Sequence, residues 1–324
     1  AATCDDFVDC MAEASERDLE QFRRWYEQAG TPEIAFDEHY DSQNPRYTLT
    51  LRQRNTATSL NDHQPPLVIP VAAGLLLNGS PLASGGETTR ILELVEPEQS
   101  FTFEDVPDKP VLSILRGFSA PVRVATEQSE SDLLVLMGGD DDAFVAWDAA
   151  QNLLSRAIEQ TASDADIAIT ADLRNACEQV ITGLMDPAMK ALTLTLPSEE
   201  YLADRAAQRG LVDVAALHAQ RIKVKAALGK ALSDCWQQVL EAYPAPGHYA
   251  PTAEDIGIRA FRHLAQDYLL AANPAELDAA RQLYQRADNL TDRLAALRWI
   301  ASYAVPEERA GVLDAFYVKW HHEA

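Results

Sequence analysis

Long hydrophobic runs are absent from this chain of 324 residues. No stretch approaches the roughly 18 uninterrupted apolar residues of a membrane-spanning helix, so we expect no membrane partner. The first residues also lack the basic start and apolar run that mark a secretory signal. Both absences favour a soluble protein that is not secreted.

Cysteine is scarce, with Cys4, Cys10, Cys177 and Cys235 as the complete set. Four scattered cysteines are too few for a disulfide framework in a chain of this length. Cys4 and Cys10 lie six residues apart on one predicted helix and so face different directions, which suits neither a disulfide nor a zinc pair. The cysteine content predicts a reducing, cytoplasmic location.

Positive charge is also scarce. Lysine and arginine number 27 against 50 acidic residues, which gives a formal net charge of −23. Such a chain repels polyanions, so we expect neither nucleic acid nor an acidic membrane surface as a partner.

The sequence contains no complete catalytic motif. It has no H-E-x-x-H pair for zinc, although His322-Glu323 could begin one, and no G-x-S-x-G elbow for a nucleophilic serine. Gly85-Gly86 continues with Glu87 and not with Gly-Lys-Ser, so it predicts a turn and not a phosphate loop. We therefore predict no catalytic, cofactor-binding or metal-binding residue in this chain.

Two groups of residues could be mistaken for sites. His218 and His263 lie on predicted helices and are expected to pack or cap there, while His39 and His63 are expected to face solvent. Asp140, Asp141 and Asp142 lack the alternating spacing and closing Glu of a calcium loop. We predict that these three acids stabilise the N-terminus of the following helix.

Residues 1–32 read as two short helices. Thr3 is placed to cap the first, and the second, from about Ser15, carries the apolar stripe Leu19, Phe22, Trp25 and Tyr26. Gly30 and Pro32 then end it. Two short helices cannot bury such a stripe alone, so it needs either the following domain or one upstream.

Residues 33–126 change to a period of two, which is typical of strands. Tyr47, Leu49 and Leu51 alternate with polar residues, and alternation continues from Leu67 to Leu77. Further predicted strands are residues 90–95, Phe101 with Phe103, 111–118 and 121–125. Short strands with regular turns predict an antiparallel β-sandwich.

Residues 127–324 are predicted to be almost entirely helical. The predicted helices include 212–243, Thr252 to Leu270, 275–287, 291–303 and a last one from Pro306. Helices apolar on one side with short connections suggest stacked, solenoid-like pairs. The predicted fold class is multidomain β + α: a short helical segment, a sandwich and a helical solenoid.

Several segments together resemble zinc aminopeptidases of the bacterial aminopeptidase N (alanyl aminopeptidase) type. They occur in the same order along the whole chain: TCDDF, DLEQFRRWYEQAGTP, RYTLTLRQRN, QPPLVIPVAAGLL, RGFSAPV, WDAAQ, DPAMKALTLTLPSEE and NLTDRLAAL. Where relatives typically read R-x-L-R-N, this chain has Arg259-Ala260-Phe261-Arg262-His263, which leaves the detailed role of that helix open.

The resemblance implies three parts: the last helices of a catalytic domain (1–32), a β-sandwich (33–126) and the first part of a C-terminal helical cap (127–324). It implies a metallopeptidase that removes N-terminal amino acids from peptides, with zinc bound outside this chain. It also implies a monomer. Leu19, Phe22, Trp25 and Tyr26 would then pack on the catalytic domain.

Two hypotheses follow. In the first, the chain is a fragment of a zinc aminopeptidase that supplies the sandwich spacer and part of the cap, and it is inactive alone. In the alternative, it is a free-standing, non-enzymatic helical scaffold or partner-binding module. The stripe around Trp25 favours the fragment, because an isolated module would gain nothing from an exposed apolar face.

Overall fold

The computed structural model describes residues 2–55, 64–161, 167–207, 210–245 and 248–323. It divides into two compact units, Ala1–Ala146 and Trp147–Ala324. None of the described helices is long and apolar enough to cross a membrane.

The first unit opens with α1 (Cys4–Ser15). Thr3 caps it as predicted: its hydroxyl accepts from the Asp6 amide while the Asp6 carboxylate accepts from the Thr3 amide. The hydrogen bonds from Thr3 lower the pKa of Asp6. Glu16 takes a left-handed conformation and ends the helix.

The predicted second helix from Ser15 is largely wrong. After Glu16 the chain is irregular, and the Asp18 carboxylate accepts from the Glu20 amide in a local turn. Only a 3₁₀ turn (Gln21–Arg23) and the single-turn helix α2 (Arg24–Glu27) follow. A side-chain bond that satisfies the backbone locally competes with helix formation, which accounts for the shorter element.

The described residues include eight strands in two sheets. They are β1 (Pro32–Asp41), β2 (Arg46–Asn55), β3 (Ile69–Leu77), β4 (Ser80–Pro81), β5 (Arg90–Leu94), β6 (Glu98–Glu104), β7 (Val111–Ile114) and β8 (Arg123–Val124). The first sheet has the order β6-β2-β1-β8, and in the second β3 pairs with β4, β5 and β7. The described pairs are antiparallel except for β1 with β8.

The sandwich core confirms the alternation seen in the sequence. Tyr47, Leu49 and Leu51 are fully buried in one cluster with Ile69 and Val71. Each such side chain contributes roughly 1.5–3 kcal/mol through its burial. The predicted β-sandwich therefore rests on the predicted residues.

Strand boundaries differ from the prediction in two places. β1 was not among the predicted strands, because its second half carries exposed Asp37, Glu38 and His39. The predicted strand 111–118 stops at Ile114, since Leu115 is left-handed and a 3₁₀ turn (Arg116–Phe118) follows.

The end of the sandwich is tied back to its beginning. The Ala125 amide donates to the Ile34 carbonyl at 2.8 Å. The Phe36 amide donates to Oγ1 of Thr126, 90 residues later, also at 2.8 Å. These bonds extend the short parallel pairing of β1 with β8, the strand at this edge of the sheet.

Helices dominate the described residues after Ser129. They are α3 (Glu130–Gly139), α4 (Ala143–Glu159), α5 (Ala171–Thr182), α6 (Pro187–Leu194), α7 (Glu199–Ala207), α8 (Val214–Ala231), α9 (Ser233–Ala242), α10 (Ala253–Ala272), α11 (Asp278–Arg286), α12 (Leu290–Tyr303) and α13 (Pro306–Trp320). The predicted starts at Thr252 and Pro306 are confirmed. The predicted single helix 212–243 is wrong, because the backbone leaves helical geometry at Leu232.

α10 is the central helix of the second unit, in contact with α6, α8, α9 and α12. Trp236 stacks on Tyr268 with ring centroids 4.8 Å apart, and the Tyr268 hydroxyl donates to the Leu194 carbonyl at 2.7 Å. Gly229 permits a close approach to α10, since a Cβ there would lie 2.1 Å from the Tyr268 carbonyl oxygen. α10 thus organises the helical core.

Candidate functional site

The sequence predicts no catalytic or metal-binding residue, and two of the histidines pair with acids. Nε2 of His263 lies 2.8 Å from Oδ1 of Asp292, and Nδ1 of His218 lies 2.7 Å from Oε1 of Glu199. His39 is exposed, while His63 lies outside the described residues. Within the described ranges, no three His, Cys, Asp or Glu side chains form a group that could hold a metal. The described residues therefore do not fit a zinc ion.

Trp25 makes its described contacts with the sandwich. Trp25 packs on the sandwich core, and its indole N–H donates to the Val68 carbonyl at 2.9 Å. Gln21 and Arg24 also donate to the Pro66 carbonyl. The expectation that Trp25 also packs on a separate catalytic domain stays a prediction.

Other apolar side chains of the N-terminal segment remain available. Phe22 and Tyr26 form an edge-to-face pair at 6.2 Å, and Tyr26 is 54% exposed. Phe7 and Met11 of α1 are also exposed. Sequence reasoning missed this second pair, although a spacing of four places both on one helix face. We call Phe7, Met11, Leu19, Phe22 and Tyr26 the N-terminal apolar surface.

The three consecutive acids divide into two roles. The Asp142 carboxylate accepts from the Val145 amide at 3.0 Å and caps α4 as predicted. Asp140 and Asp141 instead pair with Arg116, which corrects the prediction for these two. Arg116 is 4% exposed. Since an isolated buried charge is costly, this pairing explains the two acids.

The second unit holds a pocket of about 680 Å³. Residues from the end of α9 through α12 line it. Its apolar wall includes Leu240, Leu283 and Trp299. We call it the α9–α12 pocket.

Charged side chains of both signs enter the α9–α12 pocket. Nε of Arg259 lies 3.1 Å from Oδ1 of Asp292, close enough for an ion pair but not aligned for a hydrogen bond. The Arg259 guanidinium also lies over the Tyr249 ring, 4.9 Å from its centroid. Burial alone would raise the pKa of Asp292, but hydrogen bonds from His263 and Asn289 and the Arg259 charge lower it to about 2. Asp292 is therefore ionised at neutral pH.

Arg262 is held differently. Its Nη1 donates to the Leu240 carbonyl at 2.8 Å and also to the Tyr243 carbonyl. Burial lowers the pKa of Arg262 more than the negative charge of Asp292 raises it. Both acceptors of Nη1 are neutral carbonyls, so these bonds leave the Arg262 charge uncancelled. The pocket was not predicted, because its residues come from several helices and form no local motif.

Family comparison defines the class of both units. Residues 30–127 match a model described as a domain of unknown function (DUF3458) with an Ig-like fold, and residues 130–324 match the companion model, DUF3458_C, described as ARM repeats. The chain belongs to this DUF3458 family. The Ig-like and ARM descriptions confirm the predicted sandwich followed by a helical solenoid.

Individual proteins similar to this chain are more informative than the family models. The chain is 34% identical over 99% of its length to aminopeptidase N of Escherichia coli, and 35% identical over all of its length to aminopeptidase N of Caulobacter vibrioides. It spans only 38% and 37% of those two proteins. The resemblance to aminopeptidase N is confirmed.

A solved structure supports the fold. Legionella pneumophila aminopeptidase A in complex with aspartic acid matches with a TM-score of 0.84 over 99% of this chain and 37% of that protein. The identity is 24%, so this likeness concerns the fold.

Proposed function

We propose that this chain is part of a zinc-dependent aminopeptidase that removes N-terminal amino acids from peptides. The observation that carries the proposal is the match to aminopeptidase N along 99% of the chain, through both units. Because the chain spans 38% of that relative, the proposal places zinc, catalytic residues and most substrate contacts in the remaining part.

The proposed contribution of this part is architectural. Residues 1–32 complete the catalytic domain, 33–126 form a spacer, and 127–324 form the first part of a cap over the active site. Such a cap would admit short, flexible peptides and exclude folded chains, because only the former pass a narrow entrance. Selectivity would then come from shape and not from a reactive group in these residues.

The N-terminal apolar surface is the proposed contact with the catalytic domain. Tyr26, Phe7 and Met11 are 54%, 57% and 48% exposed. Contiguous exposed apolar side chains mark interaction surfaces, and the proposal takes these residues as one such patch. Trp25, which the resemblance also places in this contact, bonds to the sandwich as well.

The proposal includes a cytoplasmic monomer. All four cysteines are free, which suits a reducing compartment. The monomeric state rests on the resemblance alone.

The test compares two proteins: residues 1–324 alone and the complete product of the gene that encodes them. We expect the complete product to hydrolyse alanine p-nitroanilide, to bind one zinc per chain and to lose activity with a chelator. Residues 1–324 alone should neither hydrolyse alanine p-nitroanilide nor bind zinc. Stoichiometric zinc and chelator-sensitive turnover by residues 1–324 would refute the assignment, and a gene product limited to these residues would favour the scaffold alternative.

The same assay tests the proposed contact. In the complete product, Tyr26→Asp should lower the melting temperature of the catalytic domain, because it places a charge in an apolar contact. The matched control is Glu27→Gln, since Glu27 is an exposed neighbour. Equal melting temperatures for the two variants would argue against this contact.

A further inference from the structure

The α9–α12 pocket has an uneven charge. Three arginines line it, Arg259, Arg262 and Arg286, against two carboxylates, Asp288 and Asp292. The formal excess is one positive charge, in a chain whose formal net charge is −23. A local excess opposite in sign to the whole protein attracts an anion that the rest of the surface repels.

The three arginines differ in how far nearby groups already neutralise their positive charge. Arg259 is bound to Asp292 and covered by Tyr249. Arg262 is bound to backbone carbonyls, which are neutral. Arg286 is exposed and makes no ion pair with an acid in the described part of the chain. Arg262 and Arg286 are therefore the positive groups that a ligand would meet.

The lining also limits the size and charge of the ligand. The lining has only one positive charge in excess, so a ligand with two negative charges would be repelled by Asp288 and Asp292. This favours a monoanion over a phosphate. Leu240, Leu283 and Trp299 suit a hydrocarbon body. A volume of about 680 Å³ lies within the range of small-molecule sites.

We propose that the α9–α12 pocket binds a small monocarboxylate with an apolar body, its carboxylate placed between Arg262 and Arg286. Arginine favours this role because its planar guanidinium matches the two oxygens of a carboxylate. The apolar body would lie against Leu240, Leu283 and Trp299. The site lies wholly within the helical unit and does not depend on the proposed peptidase activity.

The experiment is isothermal titration of residues 1–324 with N-acetyl-L-leucine. N-acetyl-L-leucinamide has the same apolar body without the charge, and inorganic phosphate has charge without the body. We expect the acid to bind one to one, at least about tenfold more tightly than the amide or phosphate, since a charged hydrogen bond exceeds roughly 1.4 kcal/mol. Equal binding of acid and amide, phosphate bound more tightly than the acid, or no binding of the acid would overturn the proposal.

Three exposed or surface-directed variants locate the site. Arg286→Gln should weaken binding of N-acetyl-L-leucine about tenfold, since it removes the unpaired charge. Asp288→Asn should tighten it roughly threefold, because a repelling carboxylate becomes a neutral amide that can still accept from the Tyr249 amide. The control is Arg298→Gln, because Arg298 is exposed on α12 and does not line the pocket.

Thermal melting of each variant checks that folding is intact. Binding by Arg298→Gln should stay within about twofold of the unchanged chain. Equal losses for Arg286→Gln and Arg298→Gln would reduce the effect to general charge and overturn the assigned site. Weaker binding by Asp288→Asn would overturn the assigned charge balance.

Discussion

Replacing Arg116 by methionine tests whether the buried ion pair holds the first unit together. The side chains of Arg116 and Asp140 are 3% and 0% exposed, and Nη2 lies 2.9 Å from Oδ1. Methionine fills similar space without charge, so Asp140 would be left buried and unpaired. We expect the free energy of unfolding to fall by about 3–5 kcal/mol, the usual cost of removing one partner of a buried pair.

Hydrogen exchange read by mass spectrometry is the suitable assay, because it reports β3 and β7 separately from the helical unit. The matched control is Arg46→Met. Arg46 pairs with Glu104 at 2.9 Å, but both side chains are more than half exposed, so we expect a change of about 0–1 kcal/mol. Comparable losses for Arg116→Met and Arg46→Met would refute the reasoning.

A second variant separates lost charge pairing from lost packing. Asp140→Asn added to Arg116→Met should recover a large share of the loss, since it removes the unpaired charge while the Asn oxygen still accepts from the Asp142 amide. Burial already raises the pKa of Asp140. Loss of Arg116 would raise it further, so the penalty of Arg116→Met should shrink as pH falls and Asp140 gains its proton. A penalty independent of both Asp140→Asn and pH would point to packing alone.

Two further predictions concern the helical unit. Gly229→Ala should destabilise it by about 1–3 kcal/mol, because the added Cβ meets the Tyr268 carbonyl, whereas Gly311→Ala, with open space around it, should stabilise it by about 0.5–1 kcal/mol; chemical denaturation measures both, and equal effects would contradict the close approach. The lowered pKa of Asp292 adds stability that is present above its ordinary value of 3.8 and is lost as pH falls towards about 2. The stability difference between the unchanged chain and Asp292→Asn, measured by thermal melting, should therefore be largest near neutral pH and shrink between pH 4 and pH 2, and a constant difference would exclude a role for the Asp292 charge.

Much of the fold was predictable where the physics is local. Alternation placed Tyr47, Leu49 and Leu51 on the core face, and capping signals placed helix starts at Thr252 and Pro306. The predicted ends of helices and strands were wrong where the local sequence signal was weak. The backbone break at Leu232 has no proline beside it, and the preceding Gly229 lies within α8.

The charged sites could not be predicted, because their partners are distant in sequence. Arg116 and Asp140 are 24 residues apart, and Asp292 is 33 residues from Arg259. No spacing rule connects such residues, and only the packing of strands or helices brings them together. The acids at 140–142 therefore suggested a helix cap, which was right for Asp142 alone.

The hydrogen bond from Phe36 to Thr126 can form only after the ribosome has made the chain between them. The Phe36 amide and Oγ1 of Thr126 are 90 residues apart, and β8 joins β1 at the same edge. At about 5–20 residues per second, a ribosome needs roughly 5–20 s to make the intervening chain. During that interval the edge of β1 that pairs with β8 has no partner. A chaperone that shields strand edges would therefore act most usefully then.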